Sequence, residues 1–431
     1  MSRLRELMEE LCPDGVEYVP LWSVTIWDKK FNAVERDKQP IVENYRYLLA
    51  NDLFLMEVDK GDVFLLSTGE RTGWTTEELA GEYLKEGEVV SIPWGKSRDV
   101  TDCIKYYKGK FVTADNRIAT SNDITKLSNR YLYYWMMSQG KVIDTFYRGS
   151  GIKHPDMAKV LNMQIPIPPL AIQNEIVKLL DDFTEFTAEL TDQLMTELTL
   201  RKKQYNFYRD SLLNFVRVDD TIVQTDRQTD RQVQRISKFG LWRKEFEVEW
   251  KMLGEVCGLK AGTAISASCI REQKNDVYKT PCYGGNGLRG YVQEVNHYSD
   301  APLIGRQGAL CGNVCFAKAP YYATEHAVIV DGKKNFNNRF LFHVLVNMNL
   351  GQYKTAGAQP GLSVKRLNKV KIAIPKLEIQ NSIANILDRF DTLCNDLTSG
   401  LPAEIAARKK QYEHYRDKLL TFPRSKLKER S

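Results

Sequence analysis

Ile165-Pro-Ile-Pro-Pro-Leu-Ala-Ile-Gln-Asn-Glu-Ile-Val-Lys-Leu-Leu-Asp-Asp-Phe183 opens a stretch, 165–215, that recurs without a gap at 372–422, where it begins Ile372-Ala-Ile-Pro-Lys-Leu-Glu-Ile-Gln-Asn-Ser-Ile-Ala-Asn-Ile-Leu-Asp-Arg-Phe390. The offset is 207 residues throughout, and about half of the positions are identical. Both copies end alike, with Arg-Lys-Lys-Gln-Tyr (Arg201–Tyr205, Arg408–Tyr412) and then Tyr-Arg-Asp-x-Leu-Leu from Tyr208 and Tyr415. So long a period is not that of a solenoid, whose repeats run to roughly 20–50 residues. One variable region plus one helical segment occurs twice, which fits a protein that does the same job at two places on its partner.

In the first copy Ile172, Ile176, Leu179, Phe183, Phe186, Leu190, Leu194, Leu198, Tyr205, Tyr208 and Leu212 fall at helical spacing, the stripe of a helix that packs along its length. At ~1.5 Å per residue it would be about 65 Å long. The second copy keeps the stripe through Ile379, Ile383, Ile386, Phe390, Leu393 and Leu397, but Ser399-Gly400-Leu401-Pro402 interrupts it. Proline has no N–H to give and clashes with the preceding turn, so a break and restart is expected there.

The regions before the two copies alternate short aromatic and β-branched runs with Gly, Asp and Asn, the texture of mixed α/β domains. Helical spacing predicts helices at Asn129–Gln139 and Asn338–Leu350. Faint common markers open the two regions, Val16-Glu17-Tyr18 and Val248-Glu249-Trp250. The expected fold is α/β (α+β), with a first variable domain at 1–164, a helical spacer at 165–217, a polar linker at 218–240, a second variable domain at 241–371, and a second helical spacer with a basic tail at 372–431. Within the linker, Val223–Gln232 repeats Thr-Asp-Arg-Gln and reads as linker or at most frayed helix. An exact four-residue period is also what a tandem four-base DNA tract returns when read in codons; slippage there would truncate the product after the first variable region and helix.

The net charge is +6, a mild excess compatible with a polyanionic partner. No apolar run approaches the ~18 residues of a membrane span, and the N-terminus lacks a signal-peptide core, so a cytoplasmic protein without membrane contact is expected. The eight cysteines include no Cys-x-x-Cys. Cys311, Cys315 and His326 make an incomplete zinc set, and no metal site is expected.

A self-contained enzyme should show a catalytic constellation, and none is legible. There is no phosphate-binding Gly-x-x-x-x-Gly-Lys-Ser/Thr and no Asn/Asp-Pro-Pro-aromatic signature of amino-methylating enzymes. Gly285-Asn-Gly-Leu-Arg-Gly290 matches a dinucleotide fingerprint, but that motif must open a helix, and Tyr-Val-Gln-Glu-Val follows with strand character. The loops instead carry residues suited to reading DNA. In the first region these are Arg71, Thr72, Lys96, Ser97, Arg98, Asn116, Arg117, Arg148, Lys153 and His154; in the second, Asn286, Arg289, Arg306, Gln307, Lys354 and Gln359. Arg pairs bidentately with guanine and Asn or Gln with adenine, while Lys suits phosphates. Taken singly, each also fits a solvated surface residue. Arg201, Lys202, Lys203, Arg209 and their counterparts Arg408, Lys409, Lys410, Arg416 flank the tyrosines of the helix ends, and suit a partner subunit or the DNA backbone.

The two Pro-x-Leu-x-Ile-Gln-Asn, Leu-Asp-x-Phe and Arg-Lys-Lys-Gln-Tyr…Tyr-Arg-Asp-x-Leu-Leu segments, each behind a divergent α/β region, resemble the specificity subunit of type I restriction-modification systems over the whole chain. The resemblance implies two mixed α/β target-recognition domains separated by an antiparallel pair of long conserved helices. Each domain would read one half of an asymmetric, bipartite site in double-stranded DNA. It implies no catalytic residue in this chain, two modification subunits that bind S-adenosylmethionine and methylate adenine at N6, and restriction subunits that use ATP and Mg. A self-contained DNA methyltransferase or nuclease of unrecognised type stays open, as does a coiled-coil scaffold.

If the helices act as a ruler, the four-residue quasi-repeats Thr187-Ala-Glu-Leu, Thr191-Asp-Gln-Leu and Met195-Thr-Glu-Leu set its length. Deleting Thr187–Leu190 shortens a helix by ~6 Å, close to the rise of two base pairs at ~3.4 Å each. The expected outcome is a changed spacer with both half-sites intact; methylation mapping that finds altered half-sites at an unchanged spacer would refute it.

Overall fold

The repeated stretch is helical in both copies. The structure, a computed structural model, describes residues 2–95, 99–213, 215, 231–234, 246–308, 310–334, 336–355, 361–396 and 399–425. The first copy is one helix of 44 residues, Leu170–Leu213; the second is two, Leu377–Asn395 and Leu401–Leu419. The expected break is present, and Gly400 contributes to it as well as Pro402. A Cβ at Gly400 would lie 2.5 Å from the Thr392 carbonyl oxygen, so only glycine lets the chain fold back onto the end of the first helix. Pro402 then sits in the opening turn of the next helix, where its missing N–H costs nothing.

The chain divides into two units, Met1–Asp192 with Ile405–Ser431, and Gln193–Glu404. Each therefore holds one variable domain, the start of the helix that follows it, and the end of the other copy's helix. In the first unit a six-stranded sheet has the order Thr25–Trp27, Asn116–Ser121, Lys85–Pro93, Lys105–Thr113, Val63–Leu66, Gly73–Thr75. Its neighbours are antiparallel except Val63–Leu66 beside Lys105–Thr113. Helix Asn129–Ser138 packs against it and buries Tyr131, Leu132, Tyr134, Trp135 and Met136. In the second unit Cys257–Ala261, Ala327–Gly332, Ala301–Gly305 and Val314–Ala317 form an antiparallel sheet in that order, against which helix Asn338–Asn347 packs. A smaller sheet joins Gly287–Val292, Thr280–Gly284 and Tyr322–Ala323.

The Val-Glu-aromatic markers lie at corresponding places. Tyr18–Pro20 pairs antiparallel with Gln164–Pro166, and Phe246–Met252 with Lys371–Pro375. The polar tract departs from the linker or frayed-helix reading at Arg231–Gln234, a strand antiparallel to Phe246–Met252. An open strand edge offers backbone partners whatever the side chains are. Residues 216–230 and 235–245 lie outside the described residues.

The Ile-Gln-Asn motif now has a physical reason. Gln173 is buried; its Nε2 donates to the carbonyls of Pro168 (2.8 Å) and Lys126 (2.6 Å), and its Oε1 accepts from the Ser128 N–H at 2.9 Å. Gln380, also buried, donates to the Pro375 carbonyl (2.9 Å) and accepts from the Asn337 N–H (3.0 Å). Each glutamine ties the strand that enters the spacer helix to the start of the variable domain's helix, where Ser128 and Asn337 are the N-caps. About two turns further along, Asp181 pairs with Arg130 at 2.6 Å and Asp388 with Arg339 at 2.6 Å. Arg130 lies over the rings of Tyr106 and Tyr134, and Arg339 over Phe316 and Phe342.

In each unit the helical segments run antiparallel. In the first, Ile176 shares a cavity with Leu419 and Phe422, while Phe183 lies beside Tyr415 and Thr184 Oγ1 is 2.9 Å from the Tyr412 hydroxyl. In the second, Tyr208 stacks on Phe390, and the Cys394 thiol lies within the field of Lys202. The expected stripe needs correcting at two places. Leu180, in line with Ile172 and Ile176, is fully buried where Leu179 is only partly so, and Phe186 is 64% exposed. Spacing alone assumes one packed face along the whole helix; here the variable domain covers only its first turns.

Gln173→Ala or Gln380→Ala leaves buried N–H and C=O groups without partners, and each such group costs about 1–3 kcal/mol. Urea unfolding of either variant is expected to show at least that loss; a loss under about 0.5 kcal/mol would mean that the glutamine does not hold the domain.

Candidate nucleic-acid interface

In the second unit, Thr280–Gly284 turns through Gly285 and Asn286 into Gly287–Val292. Gly287 has φ +89°, a conformation that favours glycine. A strand, not a helix, follows the glycines, so the turn is no dinucleotide loop. Gly305 ends its strand directly under this turn: a Cβ on it would fall 1.9 Å from the Gly285 carbonyl oxygen. The chain that leaves Gly305 therefore emerges beside the turn. Between them opens a cleft of about 570 Å³, lined by Asn286, Leu288, Arg289, Gln307, Leu310 and His326.

Three residues singled out in the sequence, Asn286, Arg289 and Gln307, thus converge although about twenty positions separate them. Arg306 is half-buried at the back of the same loop, with its Nε buried and without a partner. Lys354 is exposed beyond Leu350–Tyr353, and Gln359 lies outside the described residues. His326, named in the sequence only beside Cys311 and Cys315, joins the cleft: its Nδ1 is 2.6 Å from Gln307 Oε1 and its Nε2 is 3.2 Å from Glu325 Oε1. Nothing in linear spacing marks it, because only the sheet register brings residue 326 to residue 307.

In the first unit Arg148, Lys153 and His154 are exposed on the hairpin Tyr147–Arg148/His154–Pro155. The His154 ring packs on Trp94, with centroids 4.1 Å apart, and its Nδ1 is 3.1 Å from the Trp94 carbonyl oxygen. Lys96, Ser97 and Arg98 lie outside the described residues. Arg71 lies over the Phe54 ring at 3.9 Å and pairs with Glu57; Thr72 lines a polar cleft beside Glu57, Asp59 and Trp74. Lys105, pushed down to about 8 by burial, holds the base of this loop through the Ser67 and Arg71 carbonyls at 3.1 and 3.3 Å.

Asn116 and Arg117 belong to the scaffold instead. Asn116 is buried, donating to the Leu66 carbonyl (2.8 Å) and Thr113 Oγ1 (3.2 Å), and Arg117 is held by Asp115 at 3.0 Å. A strand's alternation sends residue 116 into the sheet, which residue type alone does not reveal. On the helix ends, Lys202, Lys203, Lys409 and Lys410 are exposed, and Arg408, bonded to Gln411 at 3.1 Å, is exposed too. Arg201 is braced by Glu197 (3.3 Å) and Gln204 (3.0 Å). Arg209 bonds Asp210 and Asn347, and Arg416 is buried against Asp417, so the last arginine of each cluster is structural.

Comparison with known proteins places this geometry in a family. The type I restriction modification DNA specificity domain matches residues 56–200 and 246–407, once in each half. The chain is 32% identical to the type I restriction enzyme EcoR124I/EcoR124II specificity subunit of Escherichia coli, over 98% of both chains. It is 44% identical to the EcoprrI specificity subunit of Escherichia coli over 62% of each chain. A solved chain from work on complex assembly and conformational transition of the type I R-M system has the same fold, with TM-score 0.54 and 14% identity over 95% of this chain and 98% of that one. The protein belongs to the specificity subunits of type I restriction-modification systems. Such subunits recognise DNA sequence and are not catalytic; methylation and cleavage lie in other subunits of the complex.

Asp28, beside Lys29 and Arg117, offers a check on the first unit's scaffold. Burial pushes its carboxyl up to about 6, against the attraction of Lys29, the Ile118 N–H and Arg117. A carboxyl whose folded pKa exceeds the unfolded one binds its proton more tightly when folded. The first unit is therefore expected to lose about 3 kcal/mol as pH rises from about 4 to about 6. In Asp28→Asn that fall should vanish from the Tm-against-pH profile; a slope equal to that of the parent protein would refute the assignment.

Proposed function

We propose that each unit reads one half of a bipartite, asymmetric site in double-stranded DNA. The spacer helices fix the distance between the half-sites and dock two modification subunits, through which the restriction subunits join. The observation that carries this reading is the duplicated scaffold. The same Gln and Asp–Arg ties hold two domains whose exposed loops differ, with Arg148, Lys153 and His154 on one and Asn286, Arg289 and Gln307 on the other. Guanidinium and amide groups on loops suit base edges, and the exposed Lys202, Lys203, Lys409 and Lys410 suit phosphates or a partner.

The ruler is supported by the unbroken 44-residue helix that starts in one unit and ends in the other. Docking is supported by Phe186, Leu200 and Phe207, large apolar side chains exposed along that helix. S-adenosylmethionine, ATP and Mg belong, on this reading, to the partner subunits, and the complex works in the cytoplasm. No helix among the described residues is long and apolar enough to cross a membrane.

Co-expression with the modification subunit, followed by single-base mapping of methylated adenines, tests the reading. A split motif with a fixed spacer is expected, and a continuous motif or no methylation would overturn it. The purified chain alone, incubated with DNA and labelled S-adenosylmethionine, is expected to transfer no label; transfer would instead favour a self-contained methyltransferase.

A further inference from the structure

We infer that the cleft between Gly284–Gly287 and Arg306–Gly308 receives the major-groove edge of one guanine in the half-site read by the second unit, and that His326 is a positioning residue that sets which face of the Gln307 amide meets it. This rests on the DNA-reading function proposed above and deepens it.

The argument is one of donors and acceptors. A free glutamine offers a carbonyl and an NH2 side by side, the pair that adenine N6 and N7 match. Gln307 is not free: its Oε1 lies 2.6 Å from His326 Nδ1, and His326 Nε2 faces Glu325 Oε1 at 3.2 Å. An amide oxygen can only accept, so in this contact His326 Nδ1 carries the proton and donates to it. The amide carbonyl is thereby occupied, and what Gln307 turns outward is its NH2. Asn286 is engaged in the same sense, since its Oδ1 accepts from Asn313 Nδ2 at 3.5 Å. Arg289, on the same cleft, has only donors.

The cleft thus presents donors and few acceptors, which matches guanine O6 and N7 and mismatches adenine, whose N6 amino group would meet a donor. Gly287 and Gly308 line the cleft in open space, and both have φ +89°, a backbone conformation that favours glycine. A backbone phosphate has the same acceptor-only chemistry, and the two sources differ in what a variant does. Losing a base contact relaxes one position of the motif; losing a phosphate contact weakens all sequences alike.

The test maps methylated motifs for the parent protein, Gln307→Ala and His326→Ala, each co-expressed with the modification subunit. Gln307→Ala is expected to relax one guanine position of one half-site by about 10- to 100-fold in discrimination. His326→Ala frees the amide to turn, so adenine is expected to be admitted at that same position. The unchanged spacer and other half-site would show that the variants assemble. Motifs unaltered in both variants, uniform weakening at every position, or complete loss of methylation in both would overturn the inference. A parent protein without a split motif would instead overturn the function proposed above.

Discussion

Everything in this protein depends on a side chain that reads backbone. Gln173 and Gln380 reach out of the repeated helices and bond to the main chain of the variable domains, to the Ser128 N–H and Lys126 carbonyl in one and to the Asn337 N–H in the other. Backbone groups are present whatever the local sequence is. A domain held in this way can change nearly all of its side chains and stay seated. That is the physical condition for a chain whose frame repeats at about half of its positions while the domains between share only faint markers. The ion pairs Arg130–Asp181 and Arg339–Asp388 add a demand on side-chain identity that both domains share, an arginine at the second position of each domain helix.

The distal ends of the helices obey the same logic with more freedom. In the second unit, Tyr205 bonds His343 at 3.3 Å, and the His343 ring in turn bonds Asp388 at 2.6 Å. In the first, Tyr412 bonds Thr184 at 2.9 Å, and Tyr134 takes the place of His343 beside Asp181. The identical Arg-Lys-Lys-Gln-Tyr segments thus turn their tyrosines inward, Tyr205 to the second domain's His343 and Tyr412 to Thr184 of the other copy's helix, and leave their lysines exposed. The aromatic positions of the motif answer to packing, and its two lysines are the part available to a phosphate or a partner.

Local rules made part of this legible in the sequence. The domain helices begin at the expected Asn129 and Asn338, and the break at Gly400-Leu401-Pro402 follows from backbone chemistry that needs no tertiary information. The Asn-Arg pairs at those helix starts, Asn129-Arg130 and Asn338-Arg339, were a signal for the ion pairs, visible only once the two helices are laid side by side. Burial was less legible. Leu179 against Leu180 is one residue of helical phase, Phe186 is a question of how far a domain extends, and Asn116 is drawn inward by a strand's alternation although asparagine is an ordinary loop residue. The cleft was legible as a list and not as a place, because Asn286 and Gln307 leave strands of two different sheets that meet where Gly305 packs against Gly285.

That packing also explains why the residues proposed to read DNA sit where they do. Strand ends that meet through glycine, as Gly305 meets Gly285, bring two loops to one cleft without using side-chain volume for packing. In the first unit the scaffold side chains Asn116 and Lys105 are held by backbone carbonyls. Asp28 and Lys105, two of the first unit's groups with displaced ionisation, are shifted by burial within that scaffold. Recognition by a variable domain needs a rigid floor with exchangeable groups above it. In the second unit the cleft offers amides and a guanidinium, with a histidine whose geometry serves to hold one of those amides in place. A site built so can change its target by changing a loop while the ties at Gln173 and Gln380 remain as they are.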